Sequence, residues 1–116
     1  MRNMSFALTT EQVRNQTKTV TRRLGWHVLK PGDIIQPIVK GMGLKKGQSP
    51  EKIGGPIRVV SVTRVRLGDM TQAECSLEGF PWMLPESFVE MFIQCNGRPA
   101  SGSVTRIEFA YTEPKE

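Results

Sequence analysis

Histidine and cysteine are nearly missing from this chain: one His and two Cys in 116 residues. Cys75 and Cys95 stand far apart and form no CxxC pair, so neither a disulfide framework nor a structural zinc site is expected. Both thiols are expected to be buried and inert. His27, the lone histidine, reads as a surface turn residue. No run approaches the ~18 consecutive apolar residues of a membrane span. Met1 to Met4 lead into no sustained apolar stretch, so a signal peptide is not expected and a reducing cytoplasm is the default compartment. Acidic residues are in deficit, 11 against 16 Lys and Arg, for a net charge of +5. That excess favours an anionic partner such as nucleic acid, a nucleotide or an anionic metabolite. No metal and no cofactor are expected.

What the chain does contain is enough for one domain. Its length is close to the commonest domain size, and 38% hydrophobic residues suffice for a core. A single domain is expected over 1–116, with its core at about 4–111. Eleven Gly and eight Pro argue for many turns and short strands.

The segment from Ser5 to Leu8 reads as a first strand, and Thr9 with Gln12 has the spacing of a capping box opening a helix over about Thr10–Asn15. Pro31-Gly32-Asp33 is a turn, and Ile34–Val39 is a strand whose Pro37 places it at an edge or interrupts it. Lys40–Pro50 is a loop rich in Gly and Lys. It is expected to be a solvated insertion, with Lys45 and Lys46 as possible phosphate contacts. Ile57–Leu67 alternates, Val59, Ser61, Thr63, Val65 and Leu67 against Arg58, Val60, Val62, Arg64 and Arg66. Thr71 and Glu74 are spaced as a capping box for a short helix stopped at Gly79, Pro85 opens a second helix, and Ser103–Tyr111 alternates as a last strand. Too few helices separate the strands for a doubly wound sheet. The expected fold is α+β and mostly β: a small, partly closed antiparallel barrel with two or three short helices.

The densest chemistry lies between Gln16 and His27. On a regular strand Thr17, Thr19, Thr21 and Arg23 share one face, and Lys18, Val20, Arg22 and Leu24 the other. A strand polar on both faces suits a sheet rim or a pocket mouth. Trp26 is expected to be partly packed, with stacking on a base as the alternative.

Lys18-Thr19-Val20-Thr21-Arg22-Arg23 resembles the N-terminal signature of ASCH domains, a family of the PUA-like β-barrel group. Pro31-Gly32-Asp33, Leu67–Thr71, Glu78-Gly79-Phe80 and Ile107-Glu108-Phe109 follow in the family's order, and the likeness runs from about Met4 to Tyr111. In the pattern Gly-x-Lys-x-x-Glu-x-Arg, Lys18 and Arg23 match, while Gln16 and Thr21 replace glycine and glutamate. Threonine at that place is similar to a branch of amidohydrolases that deacetylate N4-acetylcytidine, and to phage and prophage ASCH proteins without assigned activity. The resemblance implies Lys18, Thr21 and Glu78 as the catalytic set.

The expected function is therefore a module binding RNA, another nucleic acid or a nucleotide-like ligand in a basic pocket. Arg22, Arg23, Trp26, Lys45 and Lys46 are its candidate ligand-binding residues. The alternatives are an amidohydrolase acting on a modified nucleoside, or a ribonuclease drawing on His27 and the lysine. A monomer is expected. In the hydrolase, a neighbouring base takes the proton of the Thr21 hydroxyl, and Lys18 is that base if burial or a nearby arginine lowers its pKa. Lys18 and Thr21 lie three apart, so a regular strand would separate them and convergence requires a bend or bulge.

Overall fold

The computed structural model describes residues 1–41 and 43–115. Strand β1 (Arg2–Ser5) leads through a 3₁₀ turn into α1 (Thr10–Arg14), followed by β2 (Val20–Arg23), β3 (Ile34–Ile38) and β4 (Ile57–Arg66). A second 3₁₀ turn, α2 (Gln72–Leu77), α3 (Pro85–Asn96) and β5 (Ser103–Tyr111) complete the chain. The fold is α+β and mostly strand, as expected. The strands form one sheet in the order β1-β3-β4-β5-β2. The sheet is mixed and not fully antiparallel, because β1 runs parallel to β3. It does not close through backbone pairing: β1 and β2 are its two edges. Arg23 of β2 reaches across, its Nη2 donating to the Ser5 carbonyl at 2.6 Å, so one side chain ties the edges together.

The sheet carries apolar packing on both faces. Val104 and Ile107 are three apart on β5 and so project to opposite sides. Ile107 and Phe109 belong to a core with Phe6, Ile35 and Val59. Val104 belongs to a second one with Cys75 of α2, Phe88 and Phe92 of α3, and Phe80 from the turn between them. Phe88 and Phe92, one turn apart on α3, supply the stripe that docks this helix.

Several local expectations change. The first strand ends where it was expected to begin, and Ala7–Thr9 is helical. Thr9 makes no side-chain cap bond, and Gln12 instead donates to the Gly79 carbonyl at 3.2 Å. The β4 ladder breaks at Val60, an extra residue between the pairs Val59–Phe109 and Ser61–Glu108. This bulge reverses the alternation, so Val62 takes up the face of Val59 and packs on the first core. Pro37 sits inside the sheet, and the β3–β4 ladder covers only Ile34 and Ile35. The missing N–H thus interrupts the pairing without placing the strand at an edge. The loop after β3 is anchored at its far end: Ile53 is buried, and its N–H donates to the Pro37 carbonyl at 3.0 Å. Cys75 is buried but Cys95 is exposed. Among the described residues no helix is long and apolar enough to cross a membrane.

Candidate functional site

Glu78 is placed by the way α2 ends. Thr71 caps the start of the helix, its Oγ1 accepting from the Glu74 N–H at 3.2 Å. At the other end the Gly79 N–H donates to the Ser76 carbonyl and the Phe80 N–H to that of Cys75. This is the pair of bonds that closes a Schellman motif. Gly79 has φ of 100°, and a Cβ there would lie 2.9 Å from Gln12 Cγ, so both conformation and space require glycine. The stop leaves Glu78 at the helix C-terminus, where a carboxylate has unfavourable polarity. Its position needs compensation from elsewhere, and β2 and the residues before it supply that.

Lys18 does not lie in a strand. The Thr17 and Lys18 N–H groups both donate to the Gln12 carbonyl at the end of α1, after Gln16 turns the chain with φ of 60°. The Thr19 N–H then donates to Leu77, and the Tyr111 hydroxyl donates to the Lys18 carbonyl at 2.5 Å. These bonds hold Lys18 against the end of α2. Its Nζ donates to the Glu78 carbonyl at 2.7 Å and to Glu78 Oε1 at 2.9 Å. Arg22 Nη1 donates to the other carboxylate oxygen at 3.0 Å. The Lys18 and Glu78 side chains are each only 3% exposed.

Burial lowers the Lys18 amine from its usual 10.5, and the neighbouring Arg23 and Arg22 charges act in the same direction, while Glu78 opposes them. When unprotonated, the amine can donate both of its N–H groups to Glu78, which leaves its lone pair to accept a proton. Arg22 pays a different cost: its Nε is buried with no hydrogen-bond partner among the described residues. An unmade buried bond of this kind costs about 1–3 kcal/mol and marks a place where stability alone does not dictate the arrangement.

Thr21 is on β2, and Lys18 just before it. The regular strand that would separate them is absent, because Lys18 precedes β2 and follows the turn at Gln16, and β2 itself is an edge strand. A cleft of about 220 Å³ is lined by Lys18, Thr21, Arg22, Arg23 and Glu78 on its polar side. Phe80, Phe88, Met91 and Phe92 make an apolar wall, and Ser5 to Thr9 with Cys95 and Asn96 line the rest. Thr21 Oγ1 accepts from Arg23 Nε at 3.2 Å and does not bond Lys18. The Arg23 guanidinium also lies 4.8 Å from the centre of the Phe6 ring. Burial draws it down to about 10, so it remains charged at neutral pH.

Five of the eight residues singled out in the sequence therefore meet in one cleft: Lys18, Thr21, Glu78, Arg22 and Arg23. Three do not. Trp26 adopts φ of 57°, packs against the first core and lies beneath the Arg2 guanidinium, 4.3 Å from the ring centre. Lys45 and Lys46 are exposed on their loop and do not line the cleft. His27 is likewise exposed and outside it. Sequence reasoning missed the apolar wall, because Phe80, Phe88, Met91 and Phe92 join the cleft only through the packing of α3. It also missed Glu74, read only as a capping partner. Glu74 Oε1 accepts from Arg22 Nη2 at 2.6 Å and from Arg106 Nε at 2.7 Å. Among the described residues no group of three His, Cys, Asp or Glu side chains could hold a metal ion. Comparison of the chain with protein-family models, with curated proteins and with solved structures finds no match.

Proposed function

We propose that the cleft receives a nucleobase-like group and hydrolyses an acyl–amide bond carried on it, as in an N4-acylated cytosine. The observation that carries this reading is the buried Lys18 amine, fixed by Glu78 in the same small cleft that the Thr21 hydroxyl lines. The volume of about 220 Å³ falls short of the ~300–1,000 Å³ of pockets for drug-sized ligands, so it suits a small planar group against the aromatic wall. The resemblance of Lys18-x-x-Thr21-x-Arg23 to the amidohydrolase branch supports the same choice.

In this mechanism Thr21 Oγ1 attacks the acyl carbon, and its proton passes to the neutral Lys18 amine. Arg23, already donating to the hydroxyl, favours the developing negative charge on oxygen. Collapse breaks the carbon–nitrogen bond as Lys18 returns the proton to the leaving amine. Water then attacks the Thr21 ester with Lys18 again accepting a proton. The acid is released and the proton returns to Thr21. Glu78 holds the lysine throughout and takes no proton in the scheme.

A second reading is a nucleotide-binding module without turnover. It is favoured by the engagement of the Thr21 hydroxyl with Arg23 in place of Lys18. Incubation with N4-acetylcytidine separates the two. Release of acetate by the wild type and at least ~100-fold slower release by Thr21→Ala, with melting temperature nearly unchanged, is the expected result; the loss follows from removing a nucleophile. Saturable binding with no release by the wild type, or equal rates in both proteins, would sink the hydrolase and leave the binding module.

A further inference from the structure

A second concavity, of about 460 Å³, lies beside the cleft, and Arg22, Arg64, Arg66 and Arg106 line it together with Asp69 and Glu74. Arg22 is the one residue common to the two linings among the described residues. Its guanidinium joins Glu78 in the cleft to Glu74 in the groove.

We infer that this groove is a binding site for phosphate groups, and that the ligand whose base enters the cleft is a nucleotide or a nucleic-acid strand, not a free nucleoside. The second half of that statement rests on the reading of the cleft given above; the first does not.

Four guanidinium groups face two carboxylates, which leaves a local excess of two positive charges. The excess is unevenly placed. Glu74 engages Arg106 through two bonds, at 2.7 and 3.2 Å, and Arg22 through one at 2.6 Å. Those two arginines are thereby held in fixed orientations before any ligand arrives. Arg64 and Arg66 are exposed and make no ion pair among the described residues, although Asp69 lines the same groove. Arg64 donates only to the Ser101 hydroxyl, at 3.1 Å. Two that are fixed and two that are unmatched suit an incoming anion, and guanidinium groups pair bidentately with phosphate oxygens. The small size of the cleft points the same way: it takes the base and leaves the sugar and phosphate outside, next to Arg22.

The test compares two double variants that remove the same charge. Arg64→Ala/Arg66→Ala alters the groove, whereas Lys45→Ala/Lys46→Ala alters an exposed loop that lines neither cavity. Binding of a fluorescent single-stranded oligonucleotide is measured against salt concentration, with cytidine, cytidine monophosphate and inorganic phosphate as competitors.

Groove binding predicts that the arginine pair weakens binding at least ~10-fold at 50 mM salt. It also predicts a log–log salt slope flatter by about 1.4, at ~0.7 per lost phosphate contact on a single strand. The lysine pair should change affinity less than ~3-fold. Competition by the monophosphate or by phosphate, but not by cytidine, assigns the site to a single phosphate; competition by neither assigns it to the strand. Equal weakening by both variants would reduce the effect to bulk charge and overturn the proposal, as would the absence of salt-dependent binding by the wild type. The oligonucleotide carries no acyl group, so its binding is measured without turnover, and failure of the hydrolase and failure of the groove are read separately.

Discussion

Glu78 and Glu74 stand one helical turn apart at the end of α2 and both bind Arg22, yet their surroundings differ. Glu78 is 3% exposed and holds a buried lysine; Glu74 is 21% exposed and holds Arg106, itself partly open to solvent. The same ion-pair chemistry has different consequences at the two places. In the cleft, removal from water outweighs the attraction of Glu78, and the lysine is driven toward its neutral, basic form. In the groove, the hydrogen bond from Arg106 outweighs burial, and the Glu74 carboxyl is drawn down from 4.5 to about 2, locked in its charged form. Burial depth thus separates a carboxylate that faces a desolvated amine from one that holds the partly exposed Arg106 guanidinium in place.

Truncating each carboxylate tests that contrast through stability. Glu78→Ala leaves Lys18 without its partner in a dry site and Arg22 short of one, and is expected to cost about 3–5 kcal/mol in urea denaturation. Glu74→Ala leaves partners that water reaches, and about 1–2 kcal/mol is expected, between the values for exposed and buried pairs. Equal losses would remove the distinction between the two regions.

Acid titration offers a finer comparison. The folded-state pKa of Glu74 lies below its unfolded value, so its contribution is fully present above pH 4.5 and is lost as pH falls toward 2. Glu74→Gln should flatten the fall in stability across that window relative to wild type. An unchanged slope would mean that Arg106 and Arg22 do not hold the carboxylate as described.

Much of the fold was legible because it is written in local pattern. Ser103–Tyr111 alternates and is a strand over those residues, and Thr71, Gly79 and Pro85 mark helix boundaries through chemistry that acts within a few positions. The Val60 bulge was not legible, since β4 alternates without a break in sequence and only its pairing with β5 inserts the extra residue. Lys18, Thr21 and Glu78 could be picked out by motif. Their meeting could not, because it depends on β2 being an edge strand and on the Gln12–Gly79 contact that docks α1 against the end of α2. The roles of Glu74 and Arg106 were hidden for the same reason: their partners lie far away along the chain. Trp26 shows the converse. Its neighbours in sequence made it a stacking candidate, but the turn at Gly25 and Trp26 sends the ring to the first core and under Arg2.

The proposed hydrolysis requires that burial let Lys18 act as a base. Selective isotope labelling of lysine and titration of the Lys18 Nζ or Cε resonance in the folded wild type test it directly. A midpoint below the usual 10.5 is predicted, accompanied by a rise in hydrolysis rate through the same midpoint as pH increases. A midpoint at or above 10.5 would show Lys18 to be a permanently charged partner of Glu78 and would contradict its role as a base.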